Sequence, residues 1–160
     1  RDFDTTELNL GKLVRQVAED ADYEAAARNR SVKITVVEDC RVVGSESLLQ
    51  SAIENILRNA VRYTAEGTAV EIGLDRRNGD AEVTVRDSGG GVPDAELANL
   101  FKPFYRVGEA RDRGSGGIGL GLAIADQAVK AHRGKISARN TEAGLEVKIS
   151  LPCKPKSVDA

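Results

Sequence analysis

The chain has 160 residues and a formal net charge of −2 at pH 7, a length typical of one domain. A general nucleic-acid-binding surface needs clustered excess Lys and Arg, so the charge argues against that class of function. No apolar run reaches the length of a membrane-spanning helix. The sequence begins Arg1-Asp2-Phe3-Asp4 without a signal peptide or an initiator Met, and we expect it to be a fragment of a longer protein.

Cysteine and histidine are scarce, which limits redox and metal chemistry. Cys40 and Cys153 are the only cysteines, and they lack a CxxC spacing. One disulfide between them is an alternative, but two reduced thiols in a cytoplasmic protein are the favoured interpretation. His132 is the only histidine, which excludes a His-rich metal site. It ends a predicted helix, where a side chain that can become a cation has a structural role.

Apolar residues recur at helical and strand spacing along the first half of the chain. They predict a first helix that Asn9 caps, paired strands at about 31–37 and 41–44, and a second helix at about 46–63. A hairpin follows, because two alternating segments flank Asn78-Gly79, a strong turn signal. The apolar stripes of the two helices consist of Leu10, Leu13, Val14, Val17, Ala18 and Ala21, and of Leu49, Ala52, Ile53, Ile56, Leu57 and Ala60.

The second half begins with a Gly-rich loop, Asp87-Ser88-Gly89-Gly90-Gly91-Val92-Pro93, and a short helix to Phe101. Residues 102–117 are polar and lack periodicity, which is typical of a functional lid or a disordered segment. A last helix is predicted from about 119 to 132, with Gly134 as its C-terminal stop. The final pair of strands contains Ile136, Leu145, Val147 and Ile149.

The element order predicts the architecture. Strands come mostly in adjacent pairs, which favours a largely antiparallel sheet, and the helices between the pairs must cover one of its faces. We therefore predict an α+β fold, a two-layer α/β sandwich with a mostly antiparallel mixed sheet rather than a doubly wound parallel one. Residues 1–153 are predicted to form one domain with a lid at about 102–117. The tail after Pro152 is expected to be unstructured, with residues 154–160 flexible.

A polar stripe on the second helix is the first candidate for a site. Asn55, Asn59 and Arg62 share one helix face, although Asn is a mediocre former of helix interiors. A solvated surface is the alternative interpretation. A carboxamide oxygen can bind Mg²⁺ when the phosphates of a ligand supply negative charge. Arg62 could then neutralise a phosphate, and Tyr63 could close the edge of the pocket.

The Gly-rich loop places an Asp directly after a strand that is predicted to be buried. Glycine lets the backbone approach a flat ligand closely. The Asp87 carboxylate can accept a hydrogen bond from an exocyclic amino group, such as that of adenine or guanine. An ordinary Gly-rich turn with a capping Asp is the alternative interpretation.

A second Gly-rich segment, Gly116-Gly117-Ile118-Gly119-Leu120-Gly121-Leu122, opens the last helix. Glycines at a helix start expose free N–H groups that suit a polyphosphate. The segment is not a dinucleotide fingerprint, because no strand precedes it and Ile124 stands where the last glycine should be. No P-loop motif occurs in the chain. In order, the stripe, the loop, the lid and this helix start supply metal, base, cover and phosphate contacts for a nucleotide.

These four segments resemble the N, G1, F and G2 boxes of bacterial sensor histidine kinases, within the ATPase superfamily that includes gyrase, Hsp90 and MutL. The boxes span 55–64, 87–91, 101–106 and 117–122, and the resemblance extends from Phe3 to Pro152. It implies a Bergerat-type ATP-binding fold. Two stretches, 105–113 and 131–134, are similar to envelope-stress sensor kinases.

The resemblance implies a role for each matching residue. Asn59 would bind Mg²⁺ with Asn55 lining the same site, and Asp87 would hold the adenine amino group. Arg106 would reach the γ-phosphate, so Asn59 and Arg106 are the candidate catalytic residues. The other candidates for nucleotide contact are Arg62, Tyr63, Gly89, Gly91, Val92, Tyr105, Gly117, Ile118, Gly119, Leu120, Gly121 and Leu122.

The implied reaction is phosphoryl transfer from Mg²⁺-ATP to a histidine on a separate dimerisation and phosphoacceptor domain. His132 is not that acceptor, because it ends a helix and no acidic residue follows it. Phe101 and Phe104 are expected to pack the base of the lid onto the body of the domain.

The resemblance also implies a cytoplasmic domain of a bacterial inner-membrane protein, which would act on a response regulator through the full-length kinase. The fragment is expected to be monomeric, with little or no self-phosphorylation. Two alternatives stay open: an anti-sigma-factor serine kinase of the same fold, and a non-catalytic nucleotide-sensing module.

Overall fold

The computed structural model describes residues 3–105 and 121–155. No helix within these ranges has both the length and the apolarity needed to cross a membrane. In chain order the elements are β1 (Thr6–Asn9), α1 (Leu10–Ala26), β2 (Ser31–Val37), β3 (Arg41–Gly44), α2 (Glu46–Tyr63), β4 (Ala69–Arg77), β5 (Asp80–Arg86), a 3-10 helix (Asp94–Asn99), α3 (Gly121–Ala131), β6 (Lys135–Asn140) and β7 (Leu145–Pro152).

The main sheet has five strands in the order β2-β4-β5-β7-β6. The pairs β4–β5, β5–β7 and β6–β7 are antiparallel, whereas β2 and β4 are parallel. A parallel pair needs a long crossover, and the chain makes it through β3 and α2. The predicted α+β class, with a mostly antiparallel mixed sheet, is confirmed.

The predicted pairing of the two early strands is wrong. β3 pairs antiparallel with β1, where Thr6 lies opposite Gly44, and the two strands form a separate ribbon. β2 pairs with β4 instead. The hydrogen bond from Glu38 N to Leu74 O (2.9 Å) extends this pairing past the end of β2. β1 has only four residues, of which Leu8 alone is buried, so it leaves no readable alternation in the sequence.

One face of the sheet carries the core. Alternate residues of β4, β5 and β7 are buried against the helices, and the predicted stripe of α2 is fully buried with them. Each large apolar side chain contributes about 1.5–3 kcal/mol when removed from water. The sheet residues involved are Val70, Ile72, Leu74, Ala81, Val83, Val85, Val147, Ile149 and Leu151.

The opposite face is charged and held by cross-strand ion pairs. Glu146 of β7 is only 2% exposed, and its carboxylate lies 2.9 Å from Arg139 Nε and 3.7 Å from Arg86 Nε. Burying a carboxylate is tolerated when it is paired in this way. The two-layer arrangement, with α1, α2 and α3 on one face of the sheet, follows from this division of apolar and charged residues.

Polar side chains cap the helices and join α2 to α3. Asn9 Oδ1 accepts from Lys12 N at 3.1 Å, and Ser45 Oγ accepts from Leu48 N at 3.2 Å. The backbone N–H of Ser45 donates to Nε2 of His132 at 3.0 Å. Nδ1 of His132 therefore carries the proton and donates to Ala128 O at 2.7 Å. His132 thus has a structural role, as expected, and its ring joins the start of α2 to the last turn of α3.

The end of α3 differs from the prediction. The left-handed residue is Arg133, with φ of 62°, and the N–H of Gly134 then closes the helix on Val129 O at 2.9 Å. Gly134 is required for another reason. A Cβ there would press on Ser150 O and lie 2.8 Å from Leu151 Cδ2, so β7 passes too close for a side chain.

The hairpin and the C-terminal segment complete the sheet. Asn78 and Gly79 have φ of 52° and 84°, as the predicted two-residue turn requires. The tail is ordered further than expected, because Cys153 N donates to Gly79 O at 3.1 Å and Lys154 N to Arg41 O at 2.8 Å. The prediction that the chain loses structure directly after Pro152 is therefore wrong for Cys153 and Lys154, whereas 156–160, most of the predicted flexible tail, lie outside the described residues.

Gly134→Ala is predicted to destabilise the chain by about 1–3 kcal/mol, because the added methyl overpacks against the β7 backbone. Gly121→Ala is the matched control. Among the described residues its Cβ would meet nothing closer than Asn55 Oδ1 at 3.6 Å, so the helix preference for Ala leaves stability unchanged or raises it by up to about 1 kcal/mol. Urea unfolding measures both. Equal midpoints for Gly134→Ala and the parent would contradict the packing assigned to Gly134.

Candidate functional site

Three segments that the sequence singled out meet at one end of the helical layer. Ala65 N, just beyond α2, donates to Ser88 O at 3.1 Å, and Ser88 N donates to Thr64 Oγ1 at 2.9 Å. These bonds attach the Gly-rich loop after β5 to the end of α2. The middle of α2 lies against the start of α3, where a Cβ on Gly121 would be 3.6 Å from Asn55 Oδ1. The fold thus brings the helix stripe, the loop and the last helix together.

Asp87 is the buried charge of this region. Its side chain is only 6% exposed, and Oδ1 accepts hydrogen bonds from Gly89 N at 3.0 Å and Leu145 N at 3.1 Å. Burial raises the pKa of the carboxyl, and the two backbone hydrogen bonds act against that rise. No donor among the described residues reaches Oδ2. One oxygen is therefore fixed by the backbone, and the other has no partner within residues 3–105 and 121–155.

Glycines surround Asp87, and their lack of a side chain permits close contacts there. A Cβ on Gly89 would collide with Tyr63 O, and a Cβ on Gly144 would collide with both Asp87 O and Asp87 Oδ1. Gly91 has φ of 75°, and a Cβ there would lie 2.5 Å from Asn140 Oδ1. These glycines let the loop, the end of α2 and β7 approach each other closely around the carboxylate.

Three residues of this region were missed by sequence reasoning. Thr64 is 1% exposed and links α2 to the loop. Asn140 accepts from Val92 N at 2.9 Å and donates to Val92 O at 2.7 Å, which fixes the far end of the loop. Gly144 lies in the β6–β7 turn, where Thr141 N donates to Gly144 O at 2.7 Å. A polar residue at a helix end, an Asn at a strand end and a turn glycine were the available signals, and each has ordinary structural explanations.

The polar stripe of α2 divides into different environments. Asn55 Nδ2 donates back to Ser51 O at 2.8 Å, which leaves Oδ1 on the side of α3. Asn59 is half-buried, and its carboxamide makes no hydrogen bond to any described residue. Arg62 borders a groove between α1 and α2 that also contains Glu54. Within the described part of the chain, Nε of Arg62 is buried without a hydrogen-bond partner. Tyr63 is 40% exposed.

One of two aromatic residues at the base of the predicted lid does not pack as predicted. Phe101 packs against the core as expected, but Phe104 is 71% exposed and has φ of 67°. The prediction that both rings pack onto the body is wrong for Phe104, because its backbone turns the ring outwards. Tyr105 donates its hydroxyl proton to Glu96 of the 3-10 helix, and that bond raises the pKa of the phenol.

The remaining site candidates fall into two groups, those that the structure describes and those outside its described ranges. Val92 packs partly against the core, and Leu122 is buried at the start of α3. Most of the predicted lid lies outside the described residues. The site candidates that also fall there are Arg106, Gly117, Ile118, Gly119 and Leu120.

Similar proteins support a nucleotide-binding domain. Residues 44–155 match the family model described as histidine kinase-, DNA gyrase B-, and HSP90-like ATPase. The sensor histidine kinase CpxA of Escherichia coli strain K12 is 38% identical, in an alignment that covers 94% of this chain and 33% of CpxA. The histidine-protein kinase BaeS of the same strain is 36% identical over 79% of this chain and 27% of BaeS.

A solved structure agrees with these matches. The mycobacterial sensor histidine kinase MprB superposes with a TM-score of 0.84 at 28% identity, covering 94% of this chain and 99% of that one. The chain spans about a third of the length of the curated relatives it matches. The resemblance predicted from the four boxes is confirmed. The chain belongs to the histidine kinase-, DNA gyrase B- and HSP90-like ATPase family.

Proposed function

We propose that this chain binds ATP with Mg²⁺ and transfers the γ-phosphoryl group to a histidine on a separate dimerisation and phosphoacceptor domain. The observation that carries the proposal is the buried Asp87, one carboxylate oxygen of which has no hydrogen-bond donor among the described residues around the Gly-rich loop. Family membership supports nucleotide binding. The names of CpxA and BaeS, both histidine kinases, support histidine as the acceptor.

Adenine recognition follows from the geometry at Asp87. Oδ1 already accepts two backbone N–H groups, so Oδ2 is the oxygen that would accept the 6-amino group of adenine. A charged acceptor in a buried position makes a stronger hydrogen bond than a neutral one. The absence of side chains at Gly89 and Gly91 would let the ring lie close to the backbone, with Val92 alongside it.

The phosphate end is assigned to α2, the lid and the start of α3. Asn59, whose carboxamide is free of described partners, would bind Mg²⁺, with Asn55 beside it. The N–H groups of 117–122 would hold the phosphates, and Arg106 would stabilise charge on the γ-phosphate. Bound Mg²⁺ would supply charge neutralisation during transfer. Arg62 and Tyr63 are proposed to border this end of the nucleotide.

The proposed setting is a two-component system. Residues 1–153 would form the catalytic domain, residues 102–117 its lid, and the whole protein would be an inner-membrane sensor with this domain in the cytoplasm. A response regulator would receive the phosphoryl group from the phosphoacceptor domain. His132 is not proposed as an acceptor, because both of its ring nitrogens are engaged with the backbone, at Ser45 and Ala128.

Asp87→Asn is predicted to weaken ATP binding by at least about tenfold. The two backbone donors to Oδ1 require an oxygen there, so the amide NH₂ must take the place of Oδ2 and face the adenine amino group. Two donors then oppose each other. Inosine triphosphate, which has an oxygen at that position, should instead bind the variant more tightly than it binds the parent. Calorimetric titration of both nucleotides measures the reversal, and unchanged preference for ATP would refute the assignment.

Folding stability provides the control for this variant. Because the folded pKa of Asp87 is raised, the native state holds its proton more tightly than the unfolded chain. The contribution of Asp87 to stability therefore falls as pH rises from its ordinary pKa to the raised one. Asp87→Asn lacks this loss, so it should be at least as stable as the parent at neutral pH. Urea unfolding across pH separates lost binding from lost folding.

Asn59→Ala is predicted to weaken ATP binding about tenfold with Mg²⁺ present, the effect of losing one ligand worth about 1.4 kcal/mol. When a chelator removes Mg²⁺, the variant and the parent should bind ATP equally weakly. Arg58→Ala, an exposed neighbour on α2, is the control and should change neither value. An equal loss with and without Mg²⁺ would contradict a metal role for Asn59.

Phosphoryl transfer in trans tests the reaction itself. The chain with γ-labelled ATP and the isolated phosphoacceptor domain of CpxA, its 38% identical relative, is predicted to label that domain with an acid-labile phosphohistidine. A domain whose acceptor histidine is replaced by Gln should stay unlabelled, and so should the chain alone. Acid-stable label on a small serine-bearing protein would favour a serine kinase. Nucleotide binding without any transfer would favour a sensing module.

A further inference from the structure

The two cysteines, far apart in sequence, lie together at the end of the sheet opposite Asp87. β5 runs from Asp80, opposite Pro152, to Arg86, opposite Glu146. Cys153 directly follows the first of these pairs, and Asp87 follows the second. Cys40 precedes β3, and the hydrogen bond from Lys154 N to Arg41 O (2.8 Å) draws the C-terminal segment against it. Both thiols are free.

Cys153 is the accessible member of the pair. It is partly exposed and lies on a cleft of about 260 Å³ that also contains Val42 and Lys154. Arg76 Nη1 donates to its Sγ at 2.9 Å, and Nη2 of the same guanidinium donates to Lys154 O at 3.1 Å. The guanidinium therefore holds the Cys153 side chain at the edge of this cleft, where a small disulfide can reach its sulfur.

Cys40 is the protected member. It is 0% exposed, so a reagent in solution cannot reach it directly. Burial, and next the adjacent Cys153 thiol, raise the pKa of Cys40 to about 11. Cys153 packs against the apolar cluster that contains Cys40, and the bond from Lys154 N to Arg41 O holds the residues that follow the two cysteines against each other. A small disulfide in solution therefore meets Cys153 before Cys40.

We propose that Cys153 and Cys40 form a thiol-modification site whose substrates are low-molecular-weight disulfides. The Cys153 thiolate attacks one sulfur of the small disulfide, which forms a mixed disulfide and releases one small thiolate. Cys40 then loses its proton to solvent, and its sulfur attacks Cys153. The bond between Cys40 and Cys153 forms, and the second small thiolate leaves. Two protein thiols are oxidised to one disulfide while the reagent is reduced to two thiols.

The bridge would join the start of β3 to the residue after β7. It would close a loop that contains most of the chain, including the whole nucleotide site, and long loops give the largest entropic stabilisation. The proposal is independent of the proposed function, because the thiols and Asp87 lie at opposite ends of β5. It extends the favoured interpretation of two reduced thiols to a pair that a small disulfide can oxidise.

The test is oxidation of the full chain with oxidised glutathione, followed by mass spectrometry without reduction. The parent is predicted to lose two hydrogens and to yield one cross-linked peptide pair containing Cys40 and Cys153. The cross-linked chain should also melt about 10 °C above the reduced one. Cys40→Ala, which cannot resolve the intermediate, should retain one glutathione on Cys153. Cys153→Ala should stay unmodified while folded, and Arg76→Gln should react several-fold more slowly than the parent.

Three results would overturn the proposal. A parent that stops at the mixed disulfide would show that Cys40 does not reach Cys153. Equal modification of folded Cys153→Ala would show that Cys40 reacts on its own. A bridge that forms without raising the melting temperature would show that it belongs to a distorted chain. Melting curves of the reduced variants establish that each is folded before oxidation.

Discussion

A buried carboxylate that has no cation partner among the described residues is the constraint on which the rest of the site depends. Burial of Asp87 disfavours its charge, and two backbone N–H groups of the described residues offset part of that cost. Those groups come from Gly89 of its own loop and from Leu145 of a neighbouring strand. A side chain at Gly89 or at Gly144 would displace the loop or the carboxylate. Carboxyl groups whose pKa is raised by burial concentrate at functional sites, where a ligand can supply a further hydrogen-bond donor.

The register of the sheet delivers the second of these donors. β5 and β7 are antiparallel with Arg86 opposite Glu146, which places the next residues, Asp87 and Leu145, side by side. A slip of one residue would move every side chain of β7 to the other face. The apolar residues facing the helices and the ion pairs of Glu146 on the outer face both oppose that slip. The packing of the sheet thus fixes the position of the charged oxygen, and the loop glycines leave it accessible.

Long, strongly periodic segments could be predicted from the sequence. α2 begins and ends where its apolar stripe indicated, and the Asn78-Gly79 hairpin forms as its turn residues require. What could not be predicted depends on contacts between distant segments. The β1–β3 ribbon has too few residues for a pattern. Gly134 looked like a helix stop, but the close passage of β7 explains it.

The site residues likewise divide into those that could be predicted from the sequence and those that depend on contacts between distant segments. Asp87, Gly89 and the stripe of α2 could be selected because their residue types are unusual for their elements. Thr64, Asn140 and Gly144 could not, since each is ordinary in its local context and acts only where segments distant in sequence meet. The outward position of Phe104 is likewise set by its backbone conformation and not by its type.

Direct titration of the Asp87 carboxyl tests the central claim. Carbon-13 NMR of the labelled side chain reports its pKa without nucleotide, with ATP and with inosine triphosphate. A raised pKa should be found in the free chain, and ATP should lower it, because the 6-amino donor stabilises the charged form. Inosine triphosphate, which lacks that donor, should not lower it. A pKa that is identical with and without ATP would contradict the account, because the carboxylate would then have no part in holding the base.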